Sequence, residues 1–237
     1  MISRTIVRLG VRSIFGRRRG ILLFALPVVL VGLAVLVRVL VGADAGPARD
    51  TLEGLGLIVI VPLVALLATT GLLAPEIDDG SISYLLAKPI SRHSIVISKL
   101  VVAATCVLVF AAVPVLIAGL ILLPDHAGFA VGFALGALTG GIAYCAVFAL
   151  LSVMNRHAVV IGLIYLLVWE SLLGNLLAGV RWLSVTQWAA GLVEPLADVD
   201  LVVLSPVYAA TAMAAVIVLG TWLTGRRLRA FNLTGDE

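Results

Sequence analysis

Long apolar stretches alternate with short polar connections along this chain. Runs of apolar residues occupy 21–41, 54–74, 99–123, 128–153, 158–180 and 204–225. A helix rises about 1.5 Å per residue, so roughly 20 apolar residues cross the ~30 Å hydrocarbon core of a bilayer. The pattern therefore predicts six transmembrane helices. Leu123-Pro124-Asp125-His126 joins the third run to the fourth, and Met154-Asn155-Arg156-His157 joins the fourth to the fifth, which predicts two tight helical hairpins. Pro62 and Pro114 fall inside the second and third runs, where membrane helices carry proline as a kink.

Composition sharpens this into an all-α integral membrane protein. The 237 residues are 62% hydrophobic and 12% charged, with a mean hydropathy of +1.21. Soluble domains carry about 25% charged residues, and a transmembrane barrel would alternate polar and apolar positions in short segments. The amino terminus is basic, but the first run is too long for a signal-peptide core and lacks a cleavage site, so it is expected to be retained. The net charge of +3 would be a nucleic-acid signal in a soluble chain. Here the basic residues sort by side. With the amino terminus in the cytoplasm, Arg4, Arg8, Arg12, Arg17, Arg18, Arg19, Lys88, Arg92, Lys99, Arg156, Arg226, Arg227 and Arg229 lie inside. Only Arg38, Arg49 and Arg181 lie outside. The outer connections are acidic instead, with Asp44, Asp50, Glu53, Asp125, Glu194, Asp198 and Asp200. The positive-inside rule then puts both termini in the cytoplasm. No nucleic-acid partner is expected. The abundance of alanine, valine and arginine points to the plasma membrane of a prokaryote with a GC-rich genome.

Several features sit at the edges of the spans. Residues 1–19 predict an amphipathic interfacial helix, with Arg4, Arg8 and Arg12 on one face near anionic lipid and Ile2, Ile6, Val7 and Leu9 on another. A plain basic tail that sets topology is the alternative. Residues 181–203 form the longest outer segment and carry Trp182 and Trp188, which favour the headgroup level. The reading is a short helix lying at or dipping into the outer surface, with a re-entrant path as the alternative. Gly128, Gly132, Gly136 and Gly140 repeat every four residues along the fourth run. They fall on one helix face and allow close helix packing, either within one subunit or at a moving or dimer-facing surface.

Candidate chemistry is sparse. The chain has no G-x-x-x-x-G-K-[ST], no H-E-x-x-H and no G-x-S-x-G, so no catalytic residues are expected and ATP has no P-loop to bind. His93, His126 and His157 lie in three different connections, and Cys106 and Cys145 lie in separate spans, so no metal site is expected. One ionisable residue, Glu170, lies deep in the fifth run beside Trp169. A charge at that depth costs ~3 kcal/mol or more and must meet protein or water. Glu170, Trp169 and Asn175 are candidates for a translocation path. The structural alternative is an anchor in which Glu170 pairs with Ser171, Asn175 or a backbone amide, with Arg38 as a further candidate.

The most polar stretch of the chain is Pro75 to His93, between the second and third spans. Glu76, Asp78 and Asp79 end a span, Gly80 breaks it, and Ser81 to Lys88 can form a short helix across the membrane face with Ile82, Leu85 and Leu86 on its apolar side. Pro89 ends that helix, because a residue before proline avoids the helical region. Ser91 is a candidate N-cap for the third span. The reading is a lever for a partner, with a solvated loop as the alternative.

At these residues (Glu76, Gly80-Ser81-Ile82, Leu85-Leu86, Pro89-Ile90-Ser91-Arg92 and Lys99) the chain resembles the ABC-2 type transporter permeases. The basic start, six spans, long second connection and outer segment before the last span extend the resemblance along its length. The resemblance implies one transmembrane domain over 1–237, with the cytoplasmic coupling segment at 75–98. It implies a coupling helix that seats in a nucleotide-binding ATPase subunit through Glu76, Asp79, Gly80, Ser81, Tyr84, Leu85, Lys88 and Arg92. It also implies two permeases, copies or paralogues, working with two ATPases that hold the ATP and Mg, so that this chain binds no cofactor itself and exports a substrate. An ion-coupled secondary transporter and a non-transporting membrane assembly factor are the alternatives.

Overall fold

The computed structural model describes residues 19–78, 92–155, 157–173, 179–197 and 204–230, and every element among them is helical. Helix α1 (Arg19–Val41) ends at Gly42, whose φ of +88° and amide bond to the Arg38 carbonyl (3.1 Å) close it in the left-handed cap that glycine adopts most easily. The second stretch starts earlier than its apolar run suggested. Asp44 caps α2 (Ala45–Asp50) by accepting from the Gly46 amide at 2.9 Å. The chain then continues through a π-helical segment, π1 (Thr51–Ile60), into α3 (Val61–Asp78).

The third stretch joins α4 (Arg92–Val107), π2 (Leu108–Ala112) and α5 (Val113–Leu122). Pro62 and Pro114 each follow a π segment, unlike Pro27 inside α1 and Pro195 inside the helix Val185–Ala197. A proline ring clashes with the carbonyl four residues back, here that of Ile58 or Phe110, and both of these lie in the wider π turns. The proline disruption is absorbed by a change of helical pitch. Helix α6 (Ala127–Met154) follows a tight hairpin, as expected. Next come α7 (Ala158–Ile164), π3 (Tyr165–Leu173), a 3₁₀ turn (Val180–Leu183), α8 (Val185–Ala197) and α9 (Pro206–Ala230).

Five of these stretches are long and apolar enough to cross a membrane: Gly20–Val41, Ala45–Leu73, Ile95–Leu122, Ala127–Met154 and Pro206–Leu228. The expected crossing at 158–180 is described as far as Leu173, and its described apolar part is Ala158–Leu172. Helix α8 lies within the expected outer segment 181–203.

Helix α6 is the centre of the bundle. Its Phe133, Tyr144 and Phe148 are fully buried, and α3, α4, α5, α8 and α9 pack around it. Tertiary contacts sort the connections to two ends. At one end Arg38 Nη1 donates to the Leu122 carbonyl (3.4 Å), and Gly119 lies against Ala130 across the hairpin. At the other end Lys99 Nζ donates to the Leu72 carbonyl (2.9 Å), and Val96, Val153 and Leu228 form a small cluster. The described basic residues Lys99, Arg226 and Arg227 belong to this second end, the one that charge sorting assigns to the cytoplasm. Helices α1 and α9 turn apolar faces outward, with Val28 70% and Val207 74% exposed, as expected of surfaces that meet lipid. Cys106 and Cys145 are free and buried.

The expected coupling helix between the second and third stretches, and residues 1–18 of the interfacial helix expected over 1–19, lie outside the described residues.

Candidate functional site

Glu170 sits in π3 and is 8% exposed. Hydrogen bonding from residue i to i+5 in a π-helix brings residues five apart into reach. Tyr165, five residues back, donates its hydroxyl to Glu170 Oε1 at 3.0 Å. Three more donors come from across the bundle. Ser184 Oγ donates to Oε2, the Val185 amide donates to Oε1 at 3.1 Å, and the Thr186 amide donates to Oε2 at 3.4 Å. The carboxylate thus seals the N-terminus of α8, where helix amides converge and the dipole favours negative charge. Hydrogen bonds to a charged group contribute roughly 1.5–3 kcal/mol each. Four of them are comparable to the several kcal/mol that desolvating the carboxylate costs.

The base of α8 has its own cap. Ser184 Oγ accepts from the Gln187 amide at 3.3 Å, one half of a Ser-x-x-Gln capping box. Tyr144 on α6 closes the cluster, its hydroxyl 2.7 Å from Thr186 Oγ1. The 3₁₀ turn ties in on the other side. The Trp182 carbonyl accepts from Trp188 Nε1 (2.9 Å) and from the Tyr208 hydroxyl (2.8 Å), and Trp169 Nε1 donates to the Leu183 carbonyl at 3.4 Å.

The glycine face of α6 sets where α8 lies. A Cβ at Gly128 would fall 2.9 Å from the Leu196 carbonyl oxygen. At Gly132 it would fall 3.2 Å from Ala197 Cβ, at Gly136 2.5 Å from Val193 Cγ2, and at Gly140 2.9 Å from Ala189 Cβ. The pairing runs backwards, so α8 is antiparallel to α6, and the stripe packs inside this subunit. Ala197 ends level with the start of α6, while the base of α8 lies beside Gly140 to Tyr144. That is about 20–25 Å along a helix about 42 Å long at 1.5 Å per residue. The sequence left the course of 181–203 open. Val185–Ala197 runs antiparallel along α6, from beside Tyr144 to level with the start of that helix. Trp188, expected at headgroup level, is buried at 4% exposure.

The structure places the remaining candidates as follows. Glu76 lies on α3 and Arg92 opens α4, while Asp79, Gly80, Ser81, Tyr84, Leu85, Lys88 and Asn175 lie outside the described residues. Of the partners expected for Glu170, the backbone amide is realised. Ser171 Oγ donates to the Leu166 carbonyl at 3.2 Å, and Arg38 meets Leu122 instead. Sequence reasoning missed Tyr144, Tyr165, Ser184 and Thr186. The Ser184–Gln187 spacing was the available signal. No three His, Cys, Asp or Glu residues come close enough to hold a metal among the described residues.

The sequence model of a family described as "ABC-2 family transporter protein" matches residues 4–223. No curated protein matches the chain.

Proposed function

The chain belongs to the ABC-2 family of transporter proteins, and from that premise we propose that it is the membrane-spanning permease subunit of an ATP-driven exporter. The observation that carries the reading is a family match over nearly the whole chain, on an all-helical bundle with five long apolar helices. The chain has no P-loop, so ATP and Mg are assigned to a separate nucleotide-binding subunit, and this chain is not itself an enzyme. Two permeases and two ATPases would make the complex. The coupling surface is assigned to Glu76, Asp79, Gly80, Ser81, Tyr84, Leu85, Lys88 and Arg92.

The described parts of 158–197 support a count of six crossings. Gly162 of α7 lies against Leu66 and Phe148, and Glu170 of π3 meets the base of α8 level with Tyr144. α7–π3 therefore rises from the far end of α6 to at least mid-bundle, and α8 runs in the same direction as far as the hairpin end. Together they make one net crossing, which returns both termini to the cytoplasmic side. A multi-pass protein with this charge sorting fits a prokaryotic plasma membrane.

Purification of the tagged chain in mild detergent, with mass spectrometry of what accompanies it, tests the reading. The expected result is a soluble protein in stoichiometric amount that carries a G-x-x-x-x-G-K-[ST] motif. A clean preparation with no ATPase, even after amine crosslinking through Lys88, would favour an ion-coupled transporter or an assembly factor.

A further inference from the structure

We propose that Glu170 is a positioning residue: its carboxylate fixes the short helix α8 at its working depth and joins it to the inner piece α7–π3. Three observations carry this. First, both carboxylate oxygens are engaged by protein donors, from Tyr165 of π3, from Ser184, and from the Val185 and Thr186 amides of α8. The group is turned into a joint between two elements. Second, the surface under α8 is made of glycine. Gly128, Gly132, Gly136 and Gly140 let α8 come close along its length. Its buried base is held by polar contacts, through Glu170 and the Tyr144–Thr186 pair. Third, α8 has 13 residues, too few to span a bilayer, so its depth depends on what holds its buried end.

The joint also gives the motion of an ATP-driven permease a route. α7–π3 starts at the end of the bundle assigned to the cytoplasm and finishes at the base of α8. A displacement of the inner piece reaches the outer half through this carboxylate. This functional half rests on the permease reading above, whereas the positional half does not.

The test uses a disulfide reporter in the full chain, in membranes, with Cys106 and Cys145 replaced by alanine. A Cβ at Gly132 would lie 3.2 Å from Ala197 Cβ, close to the ~3.5–4.5 Å spacing of a disulfide. Gly132→Cys with Ala197→Cys should therefore crosslink readily on mild oxidation. Glu170→Gln places an amide donor against the amides of α8 and removes the charge. It is expected to slow crosslinking about 10-fold, the scale of losing a strong helix cap. Glu170→Asp, shorter by one methylene, should fall between. A rate in Glu170→Gln equal to that of the unsubstituted chain overturns the proposal. Should that variant fail to accumulate, Ser184→Ala removes one donor and is expected to slow the reaction about 3-fold; an unchanged rate there overturns it equally.

The second arm measures ATP turnover by the complex with its ATPase. Glu170→Gln should depress turnover about 10-fold, and forming the disulfide beforehand should restore most of it. Turnover that stays low with α8 tethered would mean that Glu170 itself handles cargo or charge, and the positioning role would be wrong. Failure of the permease reading shows separately: the unsubstituted chain then has no ATPase to stimulate, while the crosslinking arm still decides the positional claim.

Discussion

Leucine at Gly136 is expected to cost about 3 kcal/mol or more of bundle stability, the upper end of what overpacking a filled interior costs. A Cβ at this position already falls 2.5 Å from Val193 Cγ2 and 3.1 Å from the Ala189 carbonyl oxygen. Neither neighbour can yield cheaply. Val193 is fully buried and its branched side chain has one strongly preferred rotamer in a helix, and the Ala189 oxygen is backbone. The only relief is to lift α8 from α6. That strains the bonds at its base and opens the packing that helices in a membrane rely on in place of a hydrophobic driving force. Thermal unfolding in detergent reads the effect. Gly32→Ala is the control, since nothing lies within 4 Å of its Cβ and alanine favours the helix by up to ~1 kcal/mol. A Gly136→Leu chain that melts with the unsubstituted protein would show that α8 does not occupy the glycine face.

That contact shows why some of the fold was legible in the sequence and some was not. The long stretches were legible because an apolar run of this length has one way to satisfy its backbone in lipid, as a helix. The runs at 21–41, 99–123, 128–153 and 204–225 match helices to within a few residues at most ends. The early start of the second stretch was missed because its first turns are polar, although Asp44 ahead of Ala45-Gly46-Pro47 is a capping signal. The depth of α8 was only partly legible, since the sequence left it between the outer surface and an inward path. Its residues, Val185 to Ala197, form a short and only partly apolar segment, and what draws them inward is a glycine face on α6, far away in sequence. For Glu170, burial was readable from its setting and an amide partner was foreseen. The identity of the partners was not, because Tyr165 comes into reach only through a π turn and Ser184 through the return of the chain.

The coupling surface gives the other large expected effect, and it separates partner contact from folding. Under the permease reading, Leu85 belongs to the assigned coupling surface, and Leu86 stands beside it on the apolar side of the expected coupling helix. Buried anchors of an interface commonly contribute about 2 kcal/mol or more each. Leu85→Asp with Leu86→Asp should then weaken capture of the ATPase by about 10³-fold, at roughly 1.4 kcal/mol for each factor of ten. Gly80→Trp should act alike, by putting a large side chain at the break that lets the short helix turn across the membrane face. The segment lies outside the described residues; under the permease reading it faces the ATPase, so the melting temperature in detergent is expected to stay with that of the unsubstituted chain. This is the opposite signature to Gly136→Leu, which should lose stability first and partner capture as a consequence. Variants of Leu85 and Leu86 that still hold the ATPase and support full ATP turnover would remove this segment from the interface. A fall in melting temperature matching the loss of capture would assign Leu85 and Leu86 to the bundle itself. Capture lost at an unchanged melting temperature is the one result that requires Leu85 and Leu86 to face a second protein.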